Sequence, residues 1–409
     1  MDWNLFAPCP RGLEPSLAAE LAGLGAGDCR AVAGGVAFSG DRRVAYMANL
    51  HSRLASRVLR EVGRRRYRAP DDLYRLAAGI EWERHFDGRH TLRVDTSATR
   101  SPLRSLNFAT LRIKDAIVDR LRERTGDRPS IDTRSPDARV WLFLEPQEAT
   151  LYLDLSGEPL FKRGWRSGRD DGGDAPLKEN LAAGLLVLAG WTPEQPLVDP
   201  FCGSGTIAIE AASIACDLAP GLSRGFGFER LLDHDAALWA GLRGDAIRRA
   251  QAGAARIESP AAGKAAPTIA ASDIDADAVS RARRNQARAG LPDAAIRWRV
   301  ADAAKLSPPF AQPGLVVANP PYGERLDAQG AGQPAHEAAM HAIGDCLRRS
   351  WSGWRIWMLS ADPALPRQLG MKESRRTPLF NGAIECRFFR FDVFGPPERP
   401  TGQDRPSRP

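Results

Sequence analysis

The sequence is poor in the residues that build metal sites and redox centres. Six cysteines and six histidines are spread over 409 residues. Cys9, Cys29, Cys202, Cys216, Cys346 and Cys386 form no CxxC pair, which argues against a zinc site and, in a chain this large, against a disulfide framework. Long apolar runs are also missing. The stretch at 181–189 is far short of the roughly 20 residues a membrane-spanning helix needs. No metal and no membrane partner are expected. The opening residues lack a basic region followed by an apolar one, so no secretory signal is expected, and the cytosol is the expected compartment. Nothing in the sequence bears on oligomeric state.

What is present is core-forming material and an excess of arginine. A chain of 409 residues with 43% hydrophobic content suits two or three domains. The net charge of +7 leans toward a polyanionic partner. Arg42, Arg43, Arg53, Arg57, Arg60, Arg64, Arg65, Arg66 and Arg68 are opposed in their stretch only by Glu61. Two readings stand side by side: a nucleic-acid surface, with Arg64, Arg65 and Arg66 as phosphate contacts, or a solvated helix face. Charge alone does not decide between them.

Periodicity divides the chain into parts. Residues 1–65 read as a small βαβ-like unit: a helix carrying Leu13, Leu17, Leu21 and Leu24, a strand at 34–38, and a second helix over 42–59. Residues 66–165 hold strand candidates at 91–95, 140–144 and 149–155. Between the first two lies an amphipathic helix at 108–122, with an apolar stripe of Leu111, Ile113, Ile117, Val118 and Leu121. A polar linker follows at 166–174. Residues 175–395 alternate apolar strands (196–199, 268–272, 295–300, 315–318, 355–359, 386–391) with helical segments, the pattern of an α/β doubly wound parallel sheet. The Pro- and Arg-rich tail at 396–409 is expected to be disordered.

Four segments carry chemistry. In Leu197-Val-Asp-Pro-Phe-Cys-Gly-Ser-Gly-Thr206 a buried strand ends at Asp199, and Cys202, Gly203, Ser204 and Gly205 turn the chain into a helix starting near Thr206. Glycines there let a ligand approach the backbone, and the helix start offers free N–H groups. A phosphate-binding P-loop would need a lysine after the glycines, and a dinucleotide fingerprint a third glycine; both are absent. A nucleoside carrying an amino acid fits instead. Asp273, closing the second strand, suits the two ribose hydroxyls, whereas Asp275 is better placed as a helix N-cap. Asp302, at another strand end, suits an adenine amino group or a cap. The most specific segment is Asn319-Pro320-Pro321-Tyr322, directly after an apolar strand. The Asn319 side-chain oxygen and the Pro320 carbonyl can hold both N–H groups of an exocyclic base amine and turn its lone pair outward. Pro321 fixes the loop, and Tyr322 can stack on an extruded base.

Together Asp199-Pro-Phe-Cys-Gly-Ser-Gly-Thr206 and Asn319-Pro-Pro-Tyr-Gly-Glu-Arg-Leu326 resemble class I methyltransferases of the THUMP-containing RNA guanine-N2 group. So do Cys9-Pro-Arg-Gly-Leu-Glu14, Leu153-Asp-Leu-Ser-Gly157, Lys162-Arg-Gly-Trp165, Ala175-Pro-Leu-Lys-Glu-Asn180 and Asn381-Gly-Ala-Ile-Glu-Cys386. The resemblance implies a Rossmann-like, mostly parallel seven-stranded sheet at 175–395. An α+β ferredoxin-like unit at 1–65 and a THUMP RNA-binding domain at 66–165 would precede it. It further implies S-adenosylmethionine as cofactor, with Asn180 among its contacts, and 23S ribosomal RNA or a pre-ribosomal particle as partner. Some members carry a second methyltransferase unit for another guanine; none is expected here. Transfer RNA guanine is the nearest competing substrate. Methyltransferases of DNA adenine and of protein glutamine share the Asn-Pro-Pro-Tyr segment, and an RNA-binding assembly factor without catalysis is a further class of answer.

Overall fold

The computed structural model describes residues 2–166, 177–259, 268–321 and 333–394. The expected tail, most of the expected linker and Tyr322 lie outside the described residues.

The N-terminal half is one eight-stranded sheet in the order β2-β3-β1-β4-β8-β7-β5-β6. It is built from β1 (Trp3–Pro8), α1 (Glu14–Gly23), β2 (Gly27–Val32), β3 (Gly35–Gly40), α2 (Arg42–His51), β4 (Leu59–Arg66), α3 (Pro70–Ala78), β5 (Thr91–Ala98), α4 (Leu106–Thr125), β6 (Ser130–Ile131), β7 (Ala138–Leu144) and β8 (Glu148–Asp154). One expectation needs correction. The helix expected over 42–59 stops at His51, and the chain then forms β4. The boundary expected at residue 65 falls inside that strand, which pairs with β1 at Leu5↔Arg60 and with β8 along its length. The two units therefore share a sheet. In α4 the buried face is Ala109, Ile113, Ala116, Ile117 and Leu121, while Leu111 is 43% exposed. Two alanines replace Leu111 and Val118 because they allow the close packing of α4 on α3 and β5.

The C-terminal half comprises α5 (Glu179–Ala189), β9 (Leu197–Asp199), α6 (Thr206–Ala215), α7 (Ala236–Glu258), β10 (Ile269–Asp273), α8 (Ala276–Arg288), β11 (Arg297–Val300), β12 (Leu315–Ala318), α9 (Gln333–Ser350), β13 (Arg355–Ser360), α10 (Leu365–Leu369), β14 (Arg375–Asn381) and β15 (Ile384–Asp392). Its seven strands follow the order β11-β10-β9-β12-β13-β15-β14. The first five run parallel, and β15 returns antiparallel to both β13 and β14. The chain leaves β9 toward β10 on one side and reaches β12 on the other. The crevice beyond β9 and β12 is thus a topological switch point, where open α/β sheets bind ligands.

Buried ion pairs fasten the halves together. Glu210 on α6 is 2% exposed and sits between Arg53 and Arg163, at 3.5 and 3.2 Å. Arg53 also donates to the carbonyls of Ser213 and Leu218, 3.3 and 2.6 Å away. Arg60 reaches Asp233 at 3.0 Å.

Candidate functional site

The glycine turn begins where β9 ends. Gly203 and Gly205 have φ of +52° and +86°, a region L side chains rarely adopt. The two glycines serve different ends. A Cβ on Gly205 would come within 2.8 Å of the Trp298 ring and 2.9 Å of the Ala282 Cβ, so this glycine lets α6 pack against its neighbours. A Cβ on Gly203 would meet nothing within 4 Å, so space is open beside the turn.

Asp273 is held for presentation rather than consumed by a cap. Its Oδ2 accepts from the Gly203 N–H at 2.9 Å and its Oδ1 from the Asp275 N–H at 3.1 Å. Each oxygen retains a lone pair for a further donor. Asp275 caps α8, accepting from the Asp277 N–H, in line with the role expected of it. Asp302 accepts from the Ala304 N–H at 2.9 Å, which holds its carboxyl below the usual range, and it pairs with Lys305 at 3.2 Å. A capping role is therefore present at Asp302.

Asp199 is 1% exposed, and burial pushes its carboxyl up to about 8, with the charge of Asp273 adding to the effect. At neutral pH it is largely the protonated acid, with its Oδ1 accepting from the Phe201 N–H at 3.1 Å. Cys202 is buried, and desolvation raises its thiol far above the ordinary value, so it is a packing residue rather than a nucleophile. The Ser204 carbonyl accepts from Asn285 Nδ2 at 3.0 Å, which ties the turn to α8.

Asn319 follows β12, which pairs in parallel with β9 at Leu315↔Leu197 and Val316↔Val198. The glycine turn and Asn319 therefore leave adjacent strands at the same edge. The Asn319 side-chain oxygen is buried and has no hydrogen-bond partner among the described residues. Pro320 is buried and Pro321 half-buried. A buried acceptor left unpaired costs about 1–3 kcal/mol unless a ligand or an ordered water completes the bond.

The sequence reading missed several contributors. Arg166, placed at the start of the linker, reaches the glycine turn: its guanidinium donates to the hydroxyls of Ser204, at 3.2 Å, and Thr206, and pairs with Glu179 at 3.1 Å. Only its position next to the Lys-Arg-Gly-Trp segment could have signalled this. Ile274, beside Asp273, is 72% exposed, an apolar side chain left uncovered next to the carboxylate. Asn180 lies in the first turn of α5, where its Nδ2 donates to the Leu54 carbonyl and Ser56 Oγ at 3.3 and 3.1 Å. Among the described residues, no hydrogen bond takes it to the glycine turn. Arg64, Arg65 and Arg66 are exposed at the end of β4, and Arg64 pairs with Glu61 and Glu148 at 2.8 and 3.3 Å.

Comparison with known proteins agrees with this architecture. Residues 165–390 match the family described as RMKL-like, methyltransferase domain; residues 4–59 match an RlmL ferredoxin-like domain, and 67–154 a THUMP domain. A ribosomal RNA large subunit methyltransferase K/L of Aeromonas hydrophila is 41% identical over 406 residues, covering 95% of this chain and 54% of that protein. The chain thus spans about half the length of the curated relatives it matches. Among solved structures, SMU.472, a putative methyltransferase complexed with SAH, is 28% identical, with a TM-score of 0.82 over 96% of this chain and 98% of that one. A predicted N6-adenine-specific DNA methylase of Listeria monocytogenes is 30% identical, with a TM-score of 0.83 over 96% and 97%.

Proposed function

The chain belongs to the family of RMKL-like methyltransferase domains, and from that premise we propose that it methylates the exocyclic N2 of a guanine in 23S ribosomal RNA, using S-adenosylmethionine. The observation that carries the reading is the buried oxygen of Asn319, unpartnered among the described residues, one strand away from a glycine turn with open space beside it. The residues present fit the cofactor: Asp273 offers two fixed carboxylate oxygens to the ribose hydroxyls, Gly203 leaves room beside the turn, and Ile274 supplies an apolar flank.

S-adenosylmethionine, when bound, supplies an electrophilic methyl group. A base amine is a poor nucleophile because its lone pair is delocalised into the ring. Asn319 Oδ1 and the Pro320 carbonyl accept its two N–H groups, which turns the lone pair out of conjugation. Positioning then provides most of the rate. No strong base is required, because the nitrogen becomes acidic once it is methylated, and one proton then leaves to water. Arg65 and Arg66 contribute phosphate contacts on the THUMP side.

The test is methyl transfer from labelled S-adenosylmethionine to protein-free 23S RNA from cells lacking the activity, with the product nucleoside identified by mass spectrometry. N2-methylguanosine in that RNA is the expected product. Methyl found only in transfer RNA, in DNA adenine or in protein glutamine would replace the substrate. Cofactor binding without turnover on any of them would make the chain a binding factor.

A further inference from the structure

At the junction of the two halves lies a cavity of about 460 Å³, lined by Pro10, Arg11, Ser56, Lys178, Asn180 and Phe380, among others. We propose that it receives a second RNA nucleotide, a neighbour of the one that is methylated. The proposal rests on the RNA reading above.

Topology puts the cavity at the reacting edge. β15 runs antiparallel to β13, with Arg387 opposite Ser360, so the turn between β14 and β15 lies beyond the carboxyl end of β13. Met358 on β13 is level with Ala318, the residue before Asn319. The hairpin tip and Asn319 thus share one side of the sheet. Neither Asn319 nor Pro320, which must touch the reacting amine, lines the cavity, so its occupant is not the methylated base.

The chemistry of the walls matches a nucleotide. Asn180 is 1% exposed; its nitrogen is committed to Leu54 and Ser56, and its buried oxygen has no partner among the described residues. That oxygen is an acceptor for an N–H on a base edge. The Phe380 ring is half-buried beneath the Arg11 guanidinium, which lies 5.4 Å from its centroid, and Lys178 lies 4.9 Å from the centroid of Phe161. Both Arg11 and Lys178 are exposed at the rim of the cavity. The two exposed cations suit phosphates, the Phe380 ring suits a base, and the volume is within the roughly 300–1,000 Å³ of small-ligand sites. A mostly apolar ligand would leave the buried Asn180 oxygen unanswered.

The experiment uses the full chain and three variants: the double variant Arg11→Gln/Lys178→Gln, Phe380→Leu, and Ala383→Trp, which fills the cavity from its exposed hairpin. Binding to unmodified 23S RNA is measured against salt, and binding of S-adenosylhomocysteine by calorimetry. We expect RNA affinity to fall about tenfold or more in the double variant and in Ala383→Trp. The double variant's salt slope should be shallower by about 1.4, the share of two single-strand phosphate contacts. Phe380→Leu should fall by roughly fivefold or more, as expected when one stacked base is lost. S-adenosylhomocysteine affinity should not move. Wild-type RNA affinity and slope in both the double variant and Ala383→Trp would overturn the pocket while leaving the methyltransferase reading intact. A wild-type chain that binds and methylates no RNA would remove that reading and the pocket with it.

Discussion

The arginine-rich stretch around β4 and the carboxyl edge of the second sheet treat polar groups in opposite ways. In the first, the charge from Arg53 to Arg60 is consumed, and the exposed end of β4 keeps arginines at the surface. Arg53 is spent on Glu210 and two carbonyls, Arg57 on Asp154, and Arg60 on Asp233 while stacking 3.8 Å from the Trp3 ring centroid. In the second, polar groups are kept available. The Asn319 oxygen is unpaired, Asp273 is gripped through only part of its capacity, and Asp199 is buried as an acid. A run of arginines therefore says little about where the chemistry lies. An unsatisfied buried acceptor at a switch point says much more.

That contrast breaks most visibly if a charge in the consumed region is deleted. Glu210→Ala leaves two buried guanidinium groups facing each other without their carboxylate. It should cost about 3–5 kcal/mol of stability, read as a lowered denaturation midpoint. A midpoint within error of wild type would mean that the pairs do not fasten the halves. Deleting a polar group in the available region should do the reverse. Asn319→Ala should leave the midpoint unchanged or slightly raised, leave S-adenosylhomocysteine affinity within about twofold, and lower single-turnover methyl transfer on the order of a hundredfold, by analogy with loss of an oxyanion-hole donor. Full turnover in that variant would show that the loop is structural.

The same contrast explains what could be read from the sequence. Motifs that end apolar strands were legible, because a strand such as 315–318 buried on both faces reads as an unbroken apolar run. The glycine turn, Asp273, Asp275 and Asn319 all stand at the edge expected of them. The strands β1, β2 and β4 were not legible. β4 carries Arg60, Glu61, Arg64, Arg65 and Arg66, and it is a strand because partners on two sides satisfy it, Leu5 on β1 and Tyr152 on β8 among them. Those partners are about 55 and 90 residues away, outside any local periodicity. Arg166 was missed for a related reason. Its role is set by Ser204, Thr206 and Glu179, and no spacing in the sequence announces that contact.

A smaller effect is expected at Asp273, which belongs to both regimes: it braces the turn through Gly203 and offers oxygens to a ligand. Asp273→Asn keeps the shape and one acceptor but loses the charge. Affinity for S-adenosylhomocysteine should fall by roughly 1.5–3 kcal/mol, the range for hydrogen bonds to a charged group. Calorimetry would show it, and unchanged affinity would reduce Asp273 to a brace.

A last effect is expected on the pH dependence of stability, and Asp199 supplies it. Its folded-state carboxyl is raised from the ordinary value near 3.8 to about 8, chiefly by burial and secondarily by the charge of Asp273. The sign follows from linkage. Below about pH 4 both folded and unfolded chains carry the protonated acid, and the group costs nothing. Between about 4 and 8 the unfolded chain releases the proton while the folded chain keeps it, so stability falls as pH rises. Asp199→Asn replaces the acid by a neutral group of the same shape, which can still accept from the Phe201 N–H and donate as the protonated carboxyl does. The two proteins should therefore melt together near pH 4. By pH 8 the variant should melt higher, by roughly 1 °C for each kcal/mol of relieved cost in a chain of 409 residues. Parallel melting curves across that range would mean that Asp199 is ionised in the folded chain. The polar groups kept available at the sheet edge would then include a buried charge, and the contrast with the arginine-rich stretch would lose one of its three supports.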